Sequence, residues 1–188
     1  MKPEVSLPTK ECADPERWHC YDEMSAEVEV MEFLAALVKT VKPRLVVETG
    51  SYRGLAANHI GLALKEVGRG RLVTCEISED LHQQTLRQCA SVLDVVDCRW
   101  CSSMALEFEE TIDILFSDSS PALRLQEIQH FWKQLTPASL IVVHDVNSGN
   151  HKGLREQVLE VDEKRWLAVV ILSTPRGLAI CQKREGRE

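Results

Sequence analysis

The stretch "VVETGSYRGLA", residues 46–56, decides how this chain is read. An apolar, strand-like run ends in an acid, Glu48; Gly50 and Gly54 follow; then "LAANHIGLALKEV" (55–67) has the spacing of a helix. In open α/β sheets, ligands bind beyond the carboxyl ends of the strands, where strand order reverses. Glycines at such an end permit a tight turn and let a ligand approach the backbone. The helix that starts there offers free N–H groups and a positive dipole end. The spacing is E-x-G-x-x-x-G, because Glu48 stands where G-x-G-x-x-G would place its first glycine. An acid at that position repels a pyrophosphate and suits a ligand bearing a cation, such as an amino-acid ammonium. A second acid, Glu76, ends the next strand in "LVTCEI" (72–77), a place from which a carboxylate accepts hydrogen bonds from ribose hydroxyls.

Outward from this stretch, strands and helices alternate. "EVEVMEFLAALVKTV" (27–41) carries apolar residues at helical spacing, with Ser25 as its expected N-cap, and Pro43 stops it before the strand "RLVVE" (44–48). After the helix from Leu55 to Val67 come the strand "RLVTCEI" (71–77) and a helix over 78–93. "VVDCRWC" (95–101) reads as a third strand, "SSMALEFEE" (102–110) as a short helix or turn, and "IDILFSDSS" (112–120) as a fourth strand with its loop. A helix over 122–135, a fifth strand "SLIVVHDV" (139–146), a loop 147–153 and a helix 154–162 follow. "RWLAVVILST" and "LAICQKR" close the chain as a hairpin turning at "PRG" (175–177). This α/β alternation implies a mostly parallel sheet covered by helices on both faces, with one antiparallel strand from the hairpin.

At 188 residues the chain is read as one domain, 1–188, with residues 1–24 as an N-terminal arm or lid. Hydrophobic residues at 44% and charged residues at 27% are globular proportions. No apolar run spans a bilayer, and the first 24 residues lack an apolar signal core, so a soluble, cytoplasmic protein with no membrane partner is expected. The net charge of −7 gives no general attraction to phosphate backbones, so no nucleic-acid partner is expected. Seven cysteines are scattered, and the single CxxC (Cys98, Cys101) has no second ligand pair, which favours small buried hydrophobes over zinc.

A nucleoside with a cationic tail and no phosphates matches Glu48 and Glu76 together; S-adenosylmethionine fits that description and NAD does not. On "KPRLVVETGSYRG", "LVTCEIS", "IDILFSDSS" and "SLIVVHDV", in that order, the chain resembles the class I S-adenosylmethionine-dependent methyltransferases over about residues 25–183. It looks closest to the small-molecule O-methyltransferases of the catechol and caffeoyl-CoA type and their bacterial relatives. The resemblance implies a Rossmann-like seven-stranded sheet of order 3-2-1-4-5-7-6 with strand 7 antiparallel. It implies that Glu48 and the backbone near Gly50, Ser51, Tyr52 and Gly54 hold the methionine moiety. Glu76 with Ile77 is implied at the ribose, and Ser102 and Ser103 beside the adenine. Asp118 is implied to face cofactor and acceptor together.

Methyl transfer to a hydroxyl is an in-line displacement that needs alignment and either a base or a bound metal. In the sheet order that the resemblance implies, Asp118 and Asp145 end neighbouring strands and are expected to converge, with His144 beside them as a third catalytic candidate. Asp118 and Asp145 are also candidate ligands for Mg²⁺ or another divalent cation. Two departures bear on this. Asp145 is followed by Val146 rather than asparagine, and the run from Asp118 through Ser119 and Ser120 to Pro121 offers no lysine where the catechol type has one. His151, on the loop 147–153, is a further candidate base, and His19 and Tyr21 are candidates for a lid. The expected function is O-methylation of a small-molecule acceptor, in an open pocket or one completed by a homodimer partner. The alternatives are a nucleic-acid or protein methyltransferase, against which the absence of a D/N-P-P-Y motif counts, an NAD(P)-dependent oxidoreductase, and a non-catalytic S-adenosylmethionine-binding module.

Overall fold

The computed structural model describes residues 4–5, 14–147, 153–160 and 166–184. Its main sheet has seven strands: β1 (Leu45–Thr49), β2 (Arg71–Glu76), β3 (Val96–Trp100), β4 (Ile114–Ser117), β5 (Leu140–His144), β6 (Trp166–Leu172) and β7 (Leu178–Lys183). Their order across the sheet is 3-2-1-4-5-7-6. The first five strands run parallel, and β7 pairs antiparallel with both β5 and β6. The expected sheet is therefore present in full. Strand order reverses between β1 and β4, so a crevice opens past their carboxyl ends. Because β7 runs the other way, its beginning, not its end, lies at that rim. The antiparallel register pairs Leu178 with His144, which brings the 174–177 turn up to the end of β5.

β1 is buried at every position, as a central strand covered on both sides must be. Val46 packs into one core with α1 (Val28–Val41) and α2 (Leu55–Val67), through residues such as Met31, Leu34, Ile60 and Leu64. Leu45 and Val47 point to the other face, where Ile128 and Phe131 from α4 (Arg124–His130) and its C-cap meet Leu154 and Val158 of α5 (Leu154–Glu160). The two-residue period of a strand then sends Glu48 toward α1 and α2, and Thr49 toward α4. Thr49 indeed donates its hydroxyl to Glu127 Oε2 on α4 at 2.8 Å.

Local boundaries differ from the sequence reading in three places. Ser25 does not cap α1: the N-cap is Glu27, whose side chain makes no cap bond. Ser25 Oγ is drawn instead to Asp22 Oδ1 (2.9 Å), and the Glu27 carboxylate to His144 and the Arg176 amide. The helix expected to run to residue 93 stops earlier, as α3 (Glu79–Gln88), with Ser78 as its N-cap. The helix expected over 122–135 is helical only over Arg124–His130. Beyond it the chain is tied to the segment before β4, by the His130 ring to Leu106 O (2.8 Å) and by Gln134 Nε2 to Phe108 O (2.9 Å).

The expected turn at "SSMALEFEE" is a single 3-10 turn, Ser103–Ala105. A two-residue ladder pairs Glu4–Val5 with His19–Cys20. Of the described cysteines, Cys75, Cys89 and Cys181 are buried and the rest half-buried; none is in a disulfide. Burial pushes the thiols of Cys75 and Cys181 up to about 12, so they are inert packing groups. No described helix is long and apolar enough to cross a membrane.

Candidate functional site

One open cavity of about 440 Å³ lies over the carboxyl ends of β1, β2 and β4. Its wall includes Glu48, Gly50, Ser51, Tyr52, Glu76, Ile77, Ser102, Ser103, Asp118 and Asp145. Gly54 and His144, also expected there, do not line it. Gly54 is the N-cap of α2, packed beneath Thr85. His151 lies outside the described residues.

The turn after β1 is drawn tight against its neighbours. Gly50 has φ +79°, and a β-carbon on it would stand 2.7 Å from Ser119 Cα and 2.9 Å from the Asp118 carbonyl. The amides of Gly50 and Ser51 both donate to Cys75 O, at 3.0 and 2.9 Å, and Ser51 Oγ pairs with Thr85 Oγ1 at 3.0 Å. This turn therefore offers a ligand close approach rather than free amide donors. Glu76 organises the next turn, its Oε2 accepting from Tyr52 N at 3.0 Å and its Oε1 from Ser78 N at 2.9 Å. Ser102 caps the 3-10 turn through Met104 N (3.3 Å), and Ser103 is buried. Ile77 is 74% exposed and stands at the rim, its carbonyl held by Trp100 Nε1.

Glu48 is the unusual member. It is 1% exposed, and Thr74 Oγ1, across the β1–β2 register, is hydrogen-bonded to its Oε2. Burial raises its carboxyl to about 8; the Thr74 bond pulls the other way, while Asp118, Cys98 and Glu76 push it up further. At neutral pH it stands uncharged in the cavity wall. A cation placed against it reverses that balance, because the carboxylate form then gains a partner in a place with little water.

Asp118, whose charge reaches Glu48, belongs to a network of charges. His144 is fully enclosed, with Nδ1 3.0 Å from Asp118 Oδ1 and Nε2 2.8 Å from Glu27 Oε2. Burial disfavours its charged form, but Asp118, Asp145 and Glu27 outweigh burial and raise it to about 10. It is an imidazolium with both N–H groups taken. Asp145 has φ +64°, a conformation aspartate tolerates better than most residues, which re-aims its carboxylate at the end of β5. Its Oδ2 accepts from Arg124 Nη2 at 2.7 Å and from Arg176 Nη2 at 3.0 Å, and its Oδ1 from Arg176 Nε. Burial would raise this carboxyl, but His144, Arg176 and Arg124 hold it well below the usual range. Arg176 reaches the site because β7 starts at this rim, and its Nη1 also holds the carbonyls of Met24 and Ser25, at 3.0 and 2.9 Å. Those residues and Ala26 form part of the cavity wall, with Arg53 paired to Asp22 at 3.1 Å.

Asp118, His144 and Asp145 bring one potential ligand atom each within 4.8 Å of one another. The donor set does not fit a divalent ion, however. Both His144 nitrogens and both Asp145 oxygens are already engaged, and Arg124, 1% exposed, inserts a guanidinium between Asp145 and Asp118 (Nη2 to Asp118 Oδ1, 3.2 Å). Where a hard cation would sit, the chain supplies an internal one.

A family profile described as a methyltransferase domain matches residues 47–146, more than half of the chain. The chain belongs to the class I S-adenosylmethionine-dependent methyltransferases. No curated protein matches the methyltransferase in sequence. Solved structures share its fold at low identity. The O-methyltransferase from Bacillus cereus, in complex with S-adenosylhomocysteine, is 20% identical, with 87% of this chain and 84% of that one covered at a TM-score of 0.72. The O-methyltransferase TomG from Streptomyces achromogenes, in complex with S-adenosylmethionine, is 16% identical, with 87% and 83% covered at 0.71. The Podospora anserina methyltransferase PaMTH1, bound to S-adenosylhomocysteine, is 16% identical, with 86% and 80% covered at 0.73.

Sequence reading missed four members of this methyltransferase's network: Glu27, Arg124, Glu127 and Arg176. Arg124 and Glu127 carried a signal. They sit in "ALRLQEIQHF" on the face that α4 must bury, and a charged pair there implies polar partners. Glu127 is fully buried and accepts from Thr49, Ser117 and Ser119 hydroxyls at 2.8, 2.8 and 2.6 Å. Glu27 and Arg176 carried none, because 149 residues separate two groups that meet only through the sheet topology.

Proposed function

We propose that this methyltransferase transfers a methyl group from S-adenosylmethionine to an oxygen of a small-molecule acceptor, without a divalent metal. The observation that carries the reading is Glu48, a carboxyl buried in the wall of a cavity that Asp118, Asp145, Arg124 and Arg176 also line. S-adenosylmethionine supplies a methyl group activated on a positively charged sulfur. Glu48 receives the ammonium of its methionine moiety, with the close backbone of Gly50, Ser51 and Tyr52 beneath it. Glu76, already fixed by two amides, presents its carboxylate to the ribose hydroxyls. Ile77, Ser102 and Ser103 flank the adenine. Asp118 sits where cofactor and acceptor meet. His144 and Asp145 act through their neighbours: His144 orients Asp118, and Asp145 orients Arg124 and Arg176. Holding acceptor oxygen, methyl carbon and sulfur in line is the main service of such a site. The chain works as one domain, and Met24, at the end of the N-terminal arm, lies in the cavity wall.

The oxygen nucleophile and the small acceptor draw support from the named activity of the B. cereus and S. achromogenes proteins and from the negative net charge. Calorimetric titration with S-adenosylmethionine and with NAD⁺ tests the cofactor. Binding of the first and not the second is expected. Glu76→Ala should weaken it by about tenfold or more, the loss of charge-assisted bonds to two hydroxyls. Equal affinity in the variant, or preference for NAD⁺, would overturn the reading.

A further inference from the structure

Glu48 does not stand alone in the sheet. The register pairs it with Thr74 on β2 and pairs Thr74 with Cys98 on β3, so the three form one row across the sheet. Two residues earlier, the row of Val46, Leu72 and Val96 belongs to the core beneath α1 and α2, and the two-residue period of strands turns Cys98 toward that same face. Cys98 packs there against a cluster that includes Cys89, the C-cap of α3. The link from one to the other is drawn tight: Val92 N donates to Cys89 O at 2.8 Å, and Val96 N to Val92 O at 2.9 Å. The two thiols meet and share a hydrogen bond.

The pair is unequal. Cys89 is fully enclosed, and its sulfur also stands 3.7 Å from the carbonyl of Gly54, the N-cap of α2. Cys98 is half-buried on the outermost strand at that end of the sheet, so solvent reaches it. The shared bond holds the Cys98 thiol below its usual range, while that bond and burial hold Cys89 above it. The thiolate is the form of cysteine that attacks an oxidant, and a neighbouring thiol then resolves the product to a disulfide.

We propose that Cys89 and Cys98 are a reversible modification site, converted to a disulfide by a peroxide, and that the disulfide weakens cofactor binding; the effect on binding rests on the function proposed above. The Cys98 thiolate attacks one peroxide oxygen, the O–O bond breaks, and the departing hydroxide takes up the proton that Cys98 had released. That leaves a sulfenic acid on Cys98 and one water. The Cys89 sulfur then attacks the Cys98 sulfur, the S–S bond forms as the S–O bond breaks, and the hydroxyl leaves with the Cys89 proton as a second water. The two thiols together lose two electrons, and the peroxide is reduced to two waters. A disulfide holds its sulfurs about 2.0 Å apart, closer than two hydrogen-bonded thiols, so Cys89 must move toward β3 and away from Gly54 O. Gly54 begins α2 at the cofactor turn, and a β-carbon on it would stand 2.9 Å from Thr85 Cα, so this turn rests directly on α3 and follows it. Loss of the Cys98 charge also eases Glu48 toward its charged form, but Cys98 ranks below burial, Thr74 and Asp118 among the influences on that carboxyl, so the displaced turn sets the direction.

The test is treatment of the full chain with hydrogen peroxide, alkylation of the remaining thiols and digestion with trypsin. Cleavage after Arg87 and Arg99 puts both cysteines in one peptide, 88–99. That peptide is expected to resist alkylation and to be lighter than its reduced form by two hydrogen atoms, and dithiothreitol should reverse both. Cys89→Ser should stop the reaction at a Cys98 sulfenic acid, trapped by dimedone, and Cys98→Ser should leave Cys89 unoxidised. In calorimetry with S-adenosylhomocysteine, oxidised wild type should bind about fivefold or more weaker than reduced, and Cys98→Ser should be insensitive to peroxide. Recovery of affinity in dithiothreitol separates this effect from methionine oxidation, which that reagent does not reverse. A peptide 88–99 that alkylates fully after peroxide, or a disulfide between other cysteines instead, would overturn the site; a disulfide with unchanged affinity would overturn its effect. If either variant does not fold, the wild-type comparison with and without dithiothreitol decides alone. Failure of the reduced protein to bind S-adenosylhomocysteine would overturn the proposed function and the effect on binding, while the peptide mass still decides the disulfide.

Discussion

Gly50→Ala is the perturbation with the clearest structural cost. The added methyl carbon would stand 2.7 Å from Ser119 Cα and 2.9 Å from Ser119 N and Asp118 O. All three are main-chain atoms, so no side chain can swing aside. The residue must also keep φ at +79°. The left-handed conformation costs an alanine about 1–2 kcal/mol, and forcing apart two packed segments adds roughly 1–3 kcal/mol. The expected loss is about 2–5 kcal/mol, and for a domain of this size each kcal/mol moves the unfolding midpoint by roughly 2–4 °C. Gly68→Ala is the matched control. Gly68 has φ +74°, yet nothing lies within 4 Å of its would-be β-carbon, so only the conformational cost applies. The difference between the two variants isolates the clash. Because the Ser119 carbonyl holds Arg124, the same displacement reaches Asp118 and Asp145, and cofactor affinity should fall with stability. Thermal unfolding by circular dichroism and calorimetry with S-adenosylmethionine read both effects. A Gly50→Ala protein no less stable than Gly68→Ala, with wild-type cofactor affinity, would refute this account of the turn.

Stability should fall as the solution is made alkaline. His144 is raised from about 6.5 to about 10 in the folded chain, so its contribution is complete below about 6.5 and lost as pH climbs through about 10. Glu48, raised from about 4.5 to about 8 among Thr74, Asp118, Cys98 and Glu76, works in the same direction over its own window. Urea midpoints that stay level or rise between about pH 6 and about pH 10, taken on about half-unit steps, would contradict both assignments. Glu127→Ala leaves three hydroxyls without their shared acceptor and should cost about 3 kcal/mol or more in urea unfolding; a loss below about 1 kcal/mol would mean the node is dispensable. Chelation with EDTA should leave methyl transfer unchanged, and added Mg²⁺ should not raise it, because Arg124 stands between the carboxylates. Loss of transfer on chelation, restored by Mg²⁺, would refute that.

The sheet was legible because its signals are local. Continuous apolar runs bounded by Gly, Pro and acids marked the central strands nearly residue by residue, and the Glu48-x-Gly50 spacing marked the crevice. Helix ends were less legible: α4 stops at His130 because His130 and Gln134 are captured by carbonyls of the segment before β4, which no propensity encodes. The part of the cavity around Glu48 and Glu76 came from one motif and one strand-end acid. The part around Arg124 and Arg176 did not, because its defining contacts join residues far apart in the chain. Asp118 and Asp145 were correctly brought together, but the pattern of two acids reads as a metal site until Arg124 and Arg176 are seen to fill it.

Glu127 gathers hydroxyls from the end of β1, the end of β4 and the loop beyond it onto a single side chain. The end of β1 and the loop after β4 are consequently one piece of furniture, not two. Diversification of acceptor preference within this scaffold is therefore channelled. Residues 117–124 cannot drift freely without loosening the segment at Thr49, so new specificities are more accessible through the approach side at Met24–Ala26, whose carbonyls at Met24 and Ser25 are held by Arg176 and whose side chains can be re-lined while the shared floor stays fixed.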